Sequence, residues 1–341
     1  MRIALDAMGS DGAPAVEVEG ALLAARADGT DREIVLVGDR ALIERELEKH
    51  RRVPPTLSIV HTSQVITMED KPVEALRKKK DTSLARTLDL VKRGEAAAAV
   101  SAGNTGAVLV GARITLGVLP GLDRPAIASV IPVIPSLRGV SVLIDSGANS
   151  DCKPLHLLQF AIMGSEYYRF ITGKPRPAIG LLSIGAESTK GNELTRETYK
   201  ILEKSGLNFI GNVEGRDVFL GKADVIVSDG FVGNIVLKVG EGLVSALHNV
   251  LLREIKRHVL RMIGGVLMKP AFMRMRKRGD YTEYGGAPLL GVKGTCIICH
   301  GSSPPKAIGN AILVAERFET QAVNVEIQNA LSAVLLRKEV S

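Results

Sequence analysis

Residues 96–112 read AAAAVSAGNTGAVLVGA and form the longest stretch of the chain without a formal charge. A short apolar run is followed by a turn with two glycines and an asparagine, and a second apolar run follows the turn. This pattern predicts a buried strand up to residue 101, a tight turn, and a helix that begins at the turn. At 17 residues with a polar interruption, the stretch is too short and too polar to span a membrane.

The same arrangement recurs along the chain. The spacing Ser-x-Gly-x-x-Gly occurs at 101–106 and again at 228–233, each time between an apolar run and a helix-like segment. Glycine lets a backbone approach a ligand closely, and a helix N-terminus offers unpaired N–H donors. We therefore expect an anion-binding cleft where such turns meet at one edge of a sheet. The six turns are DAMGSDG (6–12), SAGNTG (101–106), DSGAN (145–149), SIGAESTKGN (183–192), SDGFVG (228–233) and HGSS (300–303).

Short β-branched runs alternate with longer amphipathic segments over the whole length. Runs that are apolar throughout and separated by helices favour a three-layer α/β/α fold with a mostly parallel sheet. No linker is evident, so residues 1–341 are predicted to form a single α/β unit with a cleft between two lobes. Strands are predicted at 2–6, 33–37, 57–60, 97–101, 126–133, 140–145, 178–183, 224–228 and 295–299. Helices are predicted at 14–27, 42–50, 82–93, 153–170 and 193–204.

The net positive charge of the chain arises in one stretch, residues 251–278, LLREIKRHVLRMIGGVLMKPAFMRMRKR. Nine Lys and Arg stand against Glu254 there, a local charge of +8, while the whole chain carries +7. Large apolar residues lie between the charges. We therefore predict a basic amphipathic helical hairpin within 247–280, with an apolar apex at 262–268.

The partner of this basic hairpin is left open between three possibilities. The hairpin can pack on the body or at a dimer contact, lie on an anionic membrane, or bind an acidic protein. DNA-reading motifs and stacking aromatic residues do not accompany the charge, so no nucleic acid is predicted. The residues predicted to form this surface are Arg257, Arg261, Met262, Leu267, Met268, Arg274, Arg276 and Lys277.

The cysteines indicate a reducing compartment. Cys152, Cys296 and Cys299 are an odd number, and the N-terminus runs directly into a strand with no signal peptide, so the chain is predicted to be cytoplasmic. The pattern C-x-x-C-H at 296–300 matches a haem attachment site only formally, because that motif belongs with export. We interpret both of its cysteines as small apolar residues of a buried strand.

The turns lack several standard catalytic devices. They contain no G-x-G-x-x-G, no P-loop, no G-x-S-x-G and no cysteine, and the chain has no HExxH. An anion site with one lysine, one aspartate and several amides suits a reaction in which the anion itself attacks. Inorganic phosphate is such an anion, because a phosphate group is largely doubly ionised near neutral pH. Metal-ligand spacing is also absent, so neither a metal nor another cofactor is predicted.

In this order, DAMGSDGAP, SAGNTGA, DSGAN, TKGNEL, SDGFVGN and GGAPLLGVKG followed by HGSS resemble the bacterial phosphate acyltransferase family of phospholipid synthesis, over residues 1–330. The resemblance implies transfer of a long-chain acyl group from acyl carrier protein to phosphate. The acyl-phosphate product would serve a membrane glycerol-3-phosphate acyltransferase. It also implies a fold similar to phosphotransacetylases and to isocitrate and isopropylmalate dehydrogenases, a homodimer, and peripheral membrane association. Ser10 and Ala186 depart from the family, which usually has glycine and commonly an acidic residue there.

The resemblance implies that Lys190, Asp229 and Asn234 line the reaction centre. Lys190 would neutralise phosphate or the developing oxyanion, Asn234 would donate a hydrogen bond to that oxyanion, and Asp229 would orient the lysine or accept the phosphate proton. The 101–106 turn would hold phosphate or the pantetheine arm. His300 stays open between a role near the thioester and a structural hydrogen bond. The residues predicted to bind substrate or phosphate are Gly103, Asn104, Thr105, Gly106, Asn149, Asn192, Gly230, His300 and Ser302.

Three other functions compete with this one. A phosphotransacetylase acting on short acyl-CoA would share fold and chemistry, and the acyl donor would distinguish it. A dehydrogenase of the same broad fold would need nicotinamide and usually a metal held by aspartates, for which no cluster is evident. A non-catalytic scaffold for membrane or carrier protein would not need the polar residues that the turns retain.

Overall fold

An eleven-stranded sheet with helices on both faces forms the centre of the computed structural model, which describes residues 1–27, 32–134, 139–279 and 285–339. The strands are β1 (Arg2–Asp6), β2 (Glu33–Gly38), β3 (Leu57–His61), β4 (Ala98–Ser101), β5 (Ala126–Pro132), β6 (Val140–Ile144), β7 (Ile179–Leu182), β8 (Phe209–Val213), β9 (Val225–Val227), β10 (Ala287–Leu290) and β11 (Thr295–Ile298). The helices are α1 (Ala15–Arg26), α2 (Arg40–Leu47), α3 (Pro72–Lys78), α4 (Ser83–Lys92), α5 (Thr105–Thr115), α6 (Pro154–Thr172), α7 (Glu193–Glu203), α8 (Gly230–Lys256), α9 (Val259–Gly279), α10 (Pro305–Thr320) and α11 (Val323–Glu339), with a 3₁₀ helix at Gly215–Phe219.

The sheet has two parallel halves of opposite direction. Its order is β3-β2-β1-β4-β11-β10-β5-β6-β9-β7-β8. The pairs β11–β10, β10–β5 and β5–β6 are antiparallel, and the other adjacent pairs are parallel. The mostly parallel three-layer fold is thus confirmed. The prediction that all six turns meet at one edge is wrong, because the strand direction reverses across β10, β5 and β6.

Helices from both halves of the sheet flank β5 on one face. Ile127 of β5 packs in a cluster with α4 and α5, whereas Ile131 packs with Val236 of α8. Side chains two residues apart on a strand point to the same face. Helices α5 and α8 therefore flank β5 on that face, and α9 also contacts β5. We call the region between α5 and α8 the interlobe groove.

Helices α8 and α9 form a long hairpin. Every residue from 241 to 253 is exposed, and within α8 only Gly230 and Gly233 are buried. The chain reverses at residues 257–258, and α9 continues through Gly264, Gly265 and Pro270. The predicted apex at 262–268 is therefore wrong. A Cβ on Gly265 would lie 2.8 Å from Cγ2 of Ile255, so this glycine allows the two helices to approach.

Candidate active site

The turn at 145–149 is organised by the carboxylate of Asp145. This side chain is fully buried, and its Oδ1 accepts hydrogen bonds from the N–H groups of Ile127 (3.1 Å), Gly147 (3.2 Å) and Ala148 (2.9 Å). Its Oδ2 accepts from the backbone and side-chain amides of Asn149, both at 2.8 Å. Burial raises the pKa of this carboxyl, and the five hydrogen bonds oppose that shift. The carboxylate thus joins the start of β5 to the turn after β6.

Helix α8 begins against this turn. Asp229 caps the helix, its Oδ1 accepting from the N–H of Val232 at 2.8 Å. The N–H of Gly230 donates to the carbonyl of Asn149 at 2.7 Å. A Cβ on Gly230 would lie 2.6 Å from the nitrogen of Asn149, and one on Gly233 would overlap the carbonyl oxygen of Asp145. The two glycines therefore allow a contact that no other residue permits.

This contact places Asn234 beside the interlobe groove. Asn234 is exposed, and its side chain lies 3.6 Å from where a Cβ on Gly147 would stand. The neighbouring Ser146 shares a hydrogen bond of 2.7 Å with Ser129, which β5 contributes to the same face as Ile127. The Asn234 amide thus lies beside the 145–149 turn, which Ser146 links to β5.

Lys190 lies in the turn after β7, the strand next to β9. Its side chain is exposed and packs over Gly185, where a Cβ would lie 2.9 Å from Cγ of Lys190. It forms no ion pair or side-chain hydrogen bond with the residues that the structure describes. The ammonium group is therefore available to an anion. Strands β7 and β9 are parallel neighbours, so the turns that follow them lie at the same edge of the sheet. The Lys190 turn is therefore at the edge where α8 begins.

Three asparagines predicted to bind substrate hold the structure together with their side chains. Asn149 Nδ2 donates to Asp145 and to the carbonyl of Pro125 (2.8 Å). Asn192 caps α7, its Oδ1 accepting from the N–H of Thr195 at 2.9 Å. Asn104 caps α5 through the N–H of Ala107. The Asn104 and Asn149 amides are thus engaged within the protein, whereas the exposed Asn192 has an Nδ2 group that forms no hydrogen bond with the described residues.

Asn104 also fixes the loop before α3. Its Nδ2 lies 3.3, 3.1 and 3.2 Å from the carbonyl oxygens of Thr67, Met68 and Asp70. Next to it, Thr105 is exposed. Gly106 packs on Pro72, and a Cβ on Gly106 would lie 2.8 Å from Cγ of Pro72. The first N–H groups of α5 lack intrahelical partners and point out of the helix end. They are the anion donors that this turn offers.

The turns after β1, β4 and β11 form one cluster. A Cβ on Gly9 would lie 2.7 Å from the nitrogen of Gly103, and the N–H of Asp11 donates to the carbonyl of Gly301 at 2.9 Å. His300 is exposed, and its Nδ1 lies 2.8 Å from the Ser302 hydroxyl. That contact favours the structural hydrogen bond that was left open for His300.

The predicted residues therefore fall into two groups. The first group, at the carboxyl end of one half-sheet, comprises Gly103, Asn104, Thr105, Gly106, His300 and Ser302. The second, at the carboxyl end of the other half, comprises Asn149, Lys190, Asn192, Asp229, Gly230 and Asn234. Helix α5 starts at the first group and α8 at the second, and both helices line the interlobe groove.

Two buried carboxylates beneath the 6–12 turn were not predicted. Asp6 accepts a hydrogen bond from the Ser101 hydroxyl at 2.7 Å, and Glu17 accepts one from the N–H of Ser10 at 3.0 Å. Glu17 is fully buried, its Oε2 has no hydrogen-bond partner among the described residues, and burial raises its pKa to about 7. Helical spacing in the sequence could have indicated that Glu17 is buried, because it shares a face of α1 with the buried Ala21 and Ala24.

Replacing Glu17 with glutamine is expected to flatten the pH dependence of stability. The pKa of Glu17 is about 7 in the folded chain, against 4.5 for an unperturbed glutamate. Between these values the folded state binds more protons than the unfolded state, so the free energy of unfolding falls as pH rises, by roughly 3 kcal/mol in total. The free energy of unfolding of Glu17→Gln, relative to that of wild type, should rise by this amount as the pH increases from 4.5 to 8. Urea denaturation at each pH measures it. An unchanged difference across this range would contradict the raised pKa.

The fold is similar to that of phosphotransacetylases. A phosphotransacetylase from Streptococcus pyogenes superposes with a TM-score of 0.62 at 17% identity, and the alignment covers 94% of both chains. The EutD phosphotransacetylase from Staphylococcus aureus gives 0.59 at 15%, also over 94% of each. At these identities the likeness defines the fold class, an α/β fold shared with phosphotransacetylases.

Closer relatives define the family. A family model described as "Fatty acid synthesis protein" matches residues 1–326. The phosphate acyltransferase of Geotalea uraniireducens is 50% identical over 331 residues, 97% of this chain and 94% of the relative. That of Geobacter sulfurreducens is 50% identical over 324 residues, 95% and 92%. The chain belongs to the phosphate acyltransferase family, which confirms the resemblance in its sequence, and it is an acyltransferase.

Proposed function

We propose that this chain transfers a long-chain acyl group from acyl carrier protein to inorganic phosphate. The acyl-phosphate would then serve a membrane glycerol-3-phosphate acyltransferase in phospholipid synthesis. The observation that carries the proposal is the start of α8, where the contact of Gly230 and Gly233 with the 145–149 turn places the Asn234 amide beside the groove. An amide donor at the start of α8, with a free lysine in the turn after the neighbouring strand β7, suits an oxyanion that develops during acyl transfer.

The chemistry needs no nucleophile from the protein. A phosphate oxygen attacks the thioester carbonyl, a tetrahedral oxyanion forms, and the thiolate of the pantetheine arm leaves. Asn234 donates to the oxyanion, and Lys190 neutralises the combined negative charge. Asp229 uses Oδ1 for the helix cap, and its other oxygen is left to orient Lys190 or to accept the phosphate proton. We propose no cofactor, since attack by phosphate on a thioester does not require one.

The nearby thiol is a poor candidate for a covalent intermediate. Cys152 lies beside Asn149, and burial raises its pKa to about 12. Burial likewise raises the pKa of Cys296 and Cys299 to about 12, and both are packed in the core, as predicted for a buried strand. At neutral pH all three are thiols, and the thiolate is the nucleophilic form.

Release of free thiol from palmitoyl-acyl carrier protein tests the function. Palmitoyl-CoA and acetyl-CoA are run beside it, each with and without phosphate, and hydroxylamine traps the acyl-phosphate. Thiol release from the carrier-bound donor only when phosphate is present would support the proposal. Turnover of acetyl-CoA alone would instead identify a short-chain phosphotransacetylase, and no turnover of any donor would favour the scaffold.

We further propose that the chain is a cytoplasmic homodimer that associates peripherally with anionic membranes through the α8–α9 hairpin. Apolar side chains are exposed near its reversal, including Leu260 at 72% and Leu267 at 77%, with Met262 and Met268 also exposed. Arg257 and Arg261 share Glu254, which neutralises at most one of them, so these three residues keep a net positive charge. The side chains of Arg274, Arg276 and Lys277 lie outside the described part of the chain. Helix α8 is long and apolar enough to span a bilayer, but its first turn is fixed on the sheet, which favours an interfacial position.

Leu267→Glu is expected to weaken binding to vesicles that contain anionic phospholipid. A charged group at this position cannot enter the bilayer interface without a large desolvation cost. Sedimentation with vesicles should fall at least tenfold, while turnover of a water-soluble donor stays within twofold. Leu42→Glu, at an exposed apolar residue on α2, serves as control. Equal sedimentation of wild type and Leu267→Glu would remove the membrane role of the hairpin.

A further inference from the structure

Helix α3 is fixed beside the entrance of the interlobe groove. Pro72 at its start packs on Gly106, and Leu76 packs on Gly111 of α5, 3.6 Å from where a Cβ would stand. The loop before it is held by Asn104 at the start of the same helix. The position of α3 relative to the N-terminus of α5 is therefore set by packing and by hydrogen bonds.

The surface of α3 carries an excess of positive charge. Residues 71–80 read KPVEALRKKK, with five basic residues and one acidic residue. Glu74 lies between Lys71 (3.6 Å) and Lys78 (3.3 Å), so it neutralises at most one of them. Arg77 and Lys80 are exposed, and neither forms an ion pair with a residue that the structure describes.

The acidic residues around α3 do not cancel this charge. Asp70 is paired with Lys79 at 2.5 Å, which lowers the pKa of its carboxyl and turns that lysine inward to the carbonyl of Val65. Asp81 accepts two hydrogen bonds from Ser63, which lower its pKa. Glu69 is exposed before the helix, but Glu69 and Glu74 are only two acidic residues. The four basic residues of the surface (Lys71, Arg77, Lys78 and Lys80) therefore leave it net positive.

An apolar contact is available among these charges. Val73 is 65% exposed on the same helix. An exposed apolar residue surrounded by cations fits a protein partner that presents acidic residues around an apolar contact. Inorganic phosphate alone would not use it.

We propose that the α3 surface, formed by Lys71, Arg77, Lys78 and Lys80, docks the acidic carrier protein that delivers the acyl thioester. This inference rests on the proposed function. With the carrier on α3, its prosthetic arm enters the interlobe groove past the start of α5, where Thr105 and Gly106 offer backbone donors, and reaches Asn234 on the opposite wall.

The far end of the basic hairpin is a poorer place for the carrier. A helical rise of 1.5 Å per residue puts Arg253 about 35 Å along α8 from Gly230, where the candidate reaction centre lies. The thioester of a carrier bound at that distance would not lie near Asn234. The two basic surfaces thus have separate partners, the carrier on α3 and the membrane on the hairpin.

Two matched charge reversals test this assignment. The first variant combines Arg77→Glu with Lys80→Glu on α3, and the second combines Arg253→Glu with Lys256→Glu on the hairpin. Each variant changes the net charge by the same amount at exposed residues. Both should therefore fold like wild type, which thermal denaturation checks. Steady-state kinetics are measured with palmitoyl-acyl carrier protein and with palmitoyl-CoA, at two salt concentrations.

The α3 variant should raise KM for the carrier-bound donor on the order of tenfold, because docking charges act on encounter and on its salt dependence. Its kcat and its KM for palmitoyl-CoA should stay within twofold, and its KM for the carrier should depend less on salt. The hairpin variant should leave kcat and KM unchanged for both donors. An unchanged carrier KM in the α3 variant, or an equal loss with both donors, would overturn the proposal.

Direct binding separates this inference from the proposed function. Fluorescence anisotropy of labelled holo-acyl carrier protein reports docking without chemistry. If wild type turns over no donor yet binds the carrier, and only the α3 variant binds weakly, docking holds and the proposed reaction fails. If wild type turns over the carrier-bound donor and all three proteins bind the carrier equally, the reaction holds and the α3 site fails.

Discussion

Lys190→Ala is expected to lower kcat by about 10²–10³-fold, the loss typical of removing one group that stabilises transition-state charge. KM for the acyl donor should change little, because the ammonium group is needed mainly when negative charge accumulates on phosphate and carbonyl oxygen together. Stability should be unaffected, since Lys190 is exposed and forms no ion pair among the described residues. Steady-state thiol release and thermal denaturation measure the two effects.

Lys200→Ala is the matched control for this variant. Lys200 is an exposed lysine on α7, the helix that follows the Lys190 turn. Its loss removes the same charge from the same part of the lobe, but away from the start of α8. Near-normal turnover of Lys190→Ala, or an equal loss in Lys200→Ala, would contradict a direct role for Lys190 and leave only a general electrostatic effect.

The strands could be predicted from local pattern where their residues are apolar throughout. All nine predicted strands are present, each within one residue at both ends. The two that were missed have weak patterns: β8 (FIGNV) contains Gly211 and Asn212, and β10 (APLL) contains Pro288. Glycine, asparagine and proline are depleted in strands. Pairing with β7 and with β5 and β11 forms these strands despite their composition.

Strand direction could not be predicted, because it depends on pairing partners far apart in sequence. Apolar runs read the same for parallel and antiparallel neighbours when both faces are covered. The reversal depends on β10, contributed by residues 287–290, lying between β11 and β5. The turns that looked equivalent in sequence therefore belong to two opposed half-sheets, and helices α5 and α8 carry their residues to the shared groove.

At several predicted site residues, hydrogen bonding within the protein competes with binding of a ligand. A polar residue in a glycine-rich turn suggests a ligand contact, but helix starts and turns also have unpaired N–H groups that need acceptors. The Asn104 and Asn192 side chains accept from such N–H groups, and the Asn149 side chain donates to Asp145 and to the carbonyl of Pro125. Their spacing already fits an N-cap, since Asn104 and Asn192 each stand directly before a helical segment.

In the hairpin, the turn preference of two glycines competes with a contact between helices. Adjacent glycines usually favour a turn, and Gly264-Gly265 was accordingly placed at the apex. In the structure the helix continues, because the loss of helix propensity is offset by the close approach to Ile255. Only the tertiary contact reveals this.

Gly233→Ala is expected to abolish most activity and to lower the melting temperature by several degrees. The added Cβ would overlap the carbonyl oxygen of Asp145, which is backbone and cannot move aside as a flexible side chain would. Helix α8 must then shift away from the 145–149 turn, at a cost of roughly 1–3 kcal/mol for an overpacked site. Asn234 follows directly in the chain, so the shift displaces the oxyanion donor, and a misplacement of about 1 Å can lower turnover 10²-fold.

Gly242→Ala on the same helix is the control that separates this contact from helix propensity. Among the described residues, no atom outside the neighbouring helix backbone lies within 4 Å of its would-be Cβ. The substitution therefore introduces no overlap and should stabilise α8 by up to about 1 kcal/mol. The two variants make the same chemical change with opposite expected signs in thermal denaturation. Full activity together with an unchanged melting temperature in Gly233→Ala would show that the start of α8 does not depend on its contact with Asp145, and the position assigned to Asn234 would lose its support.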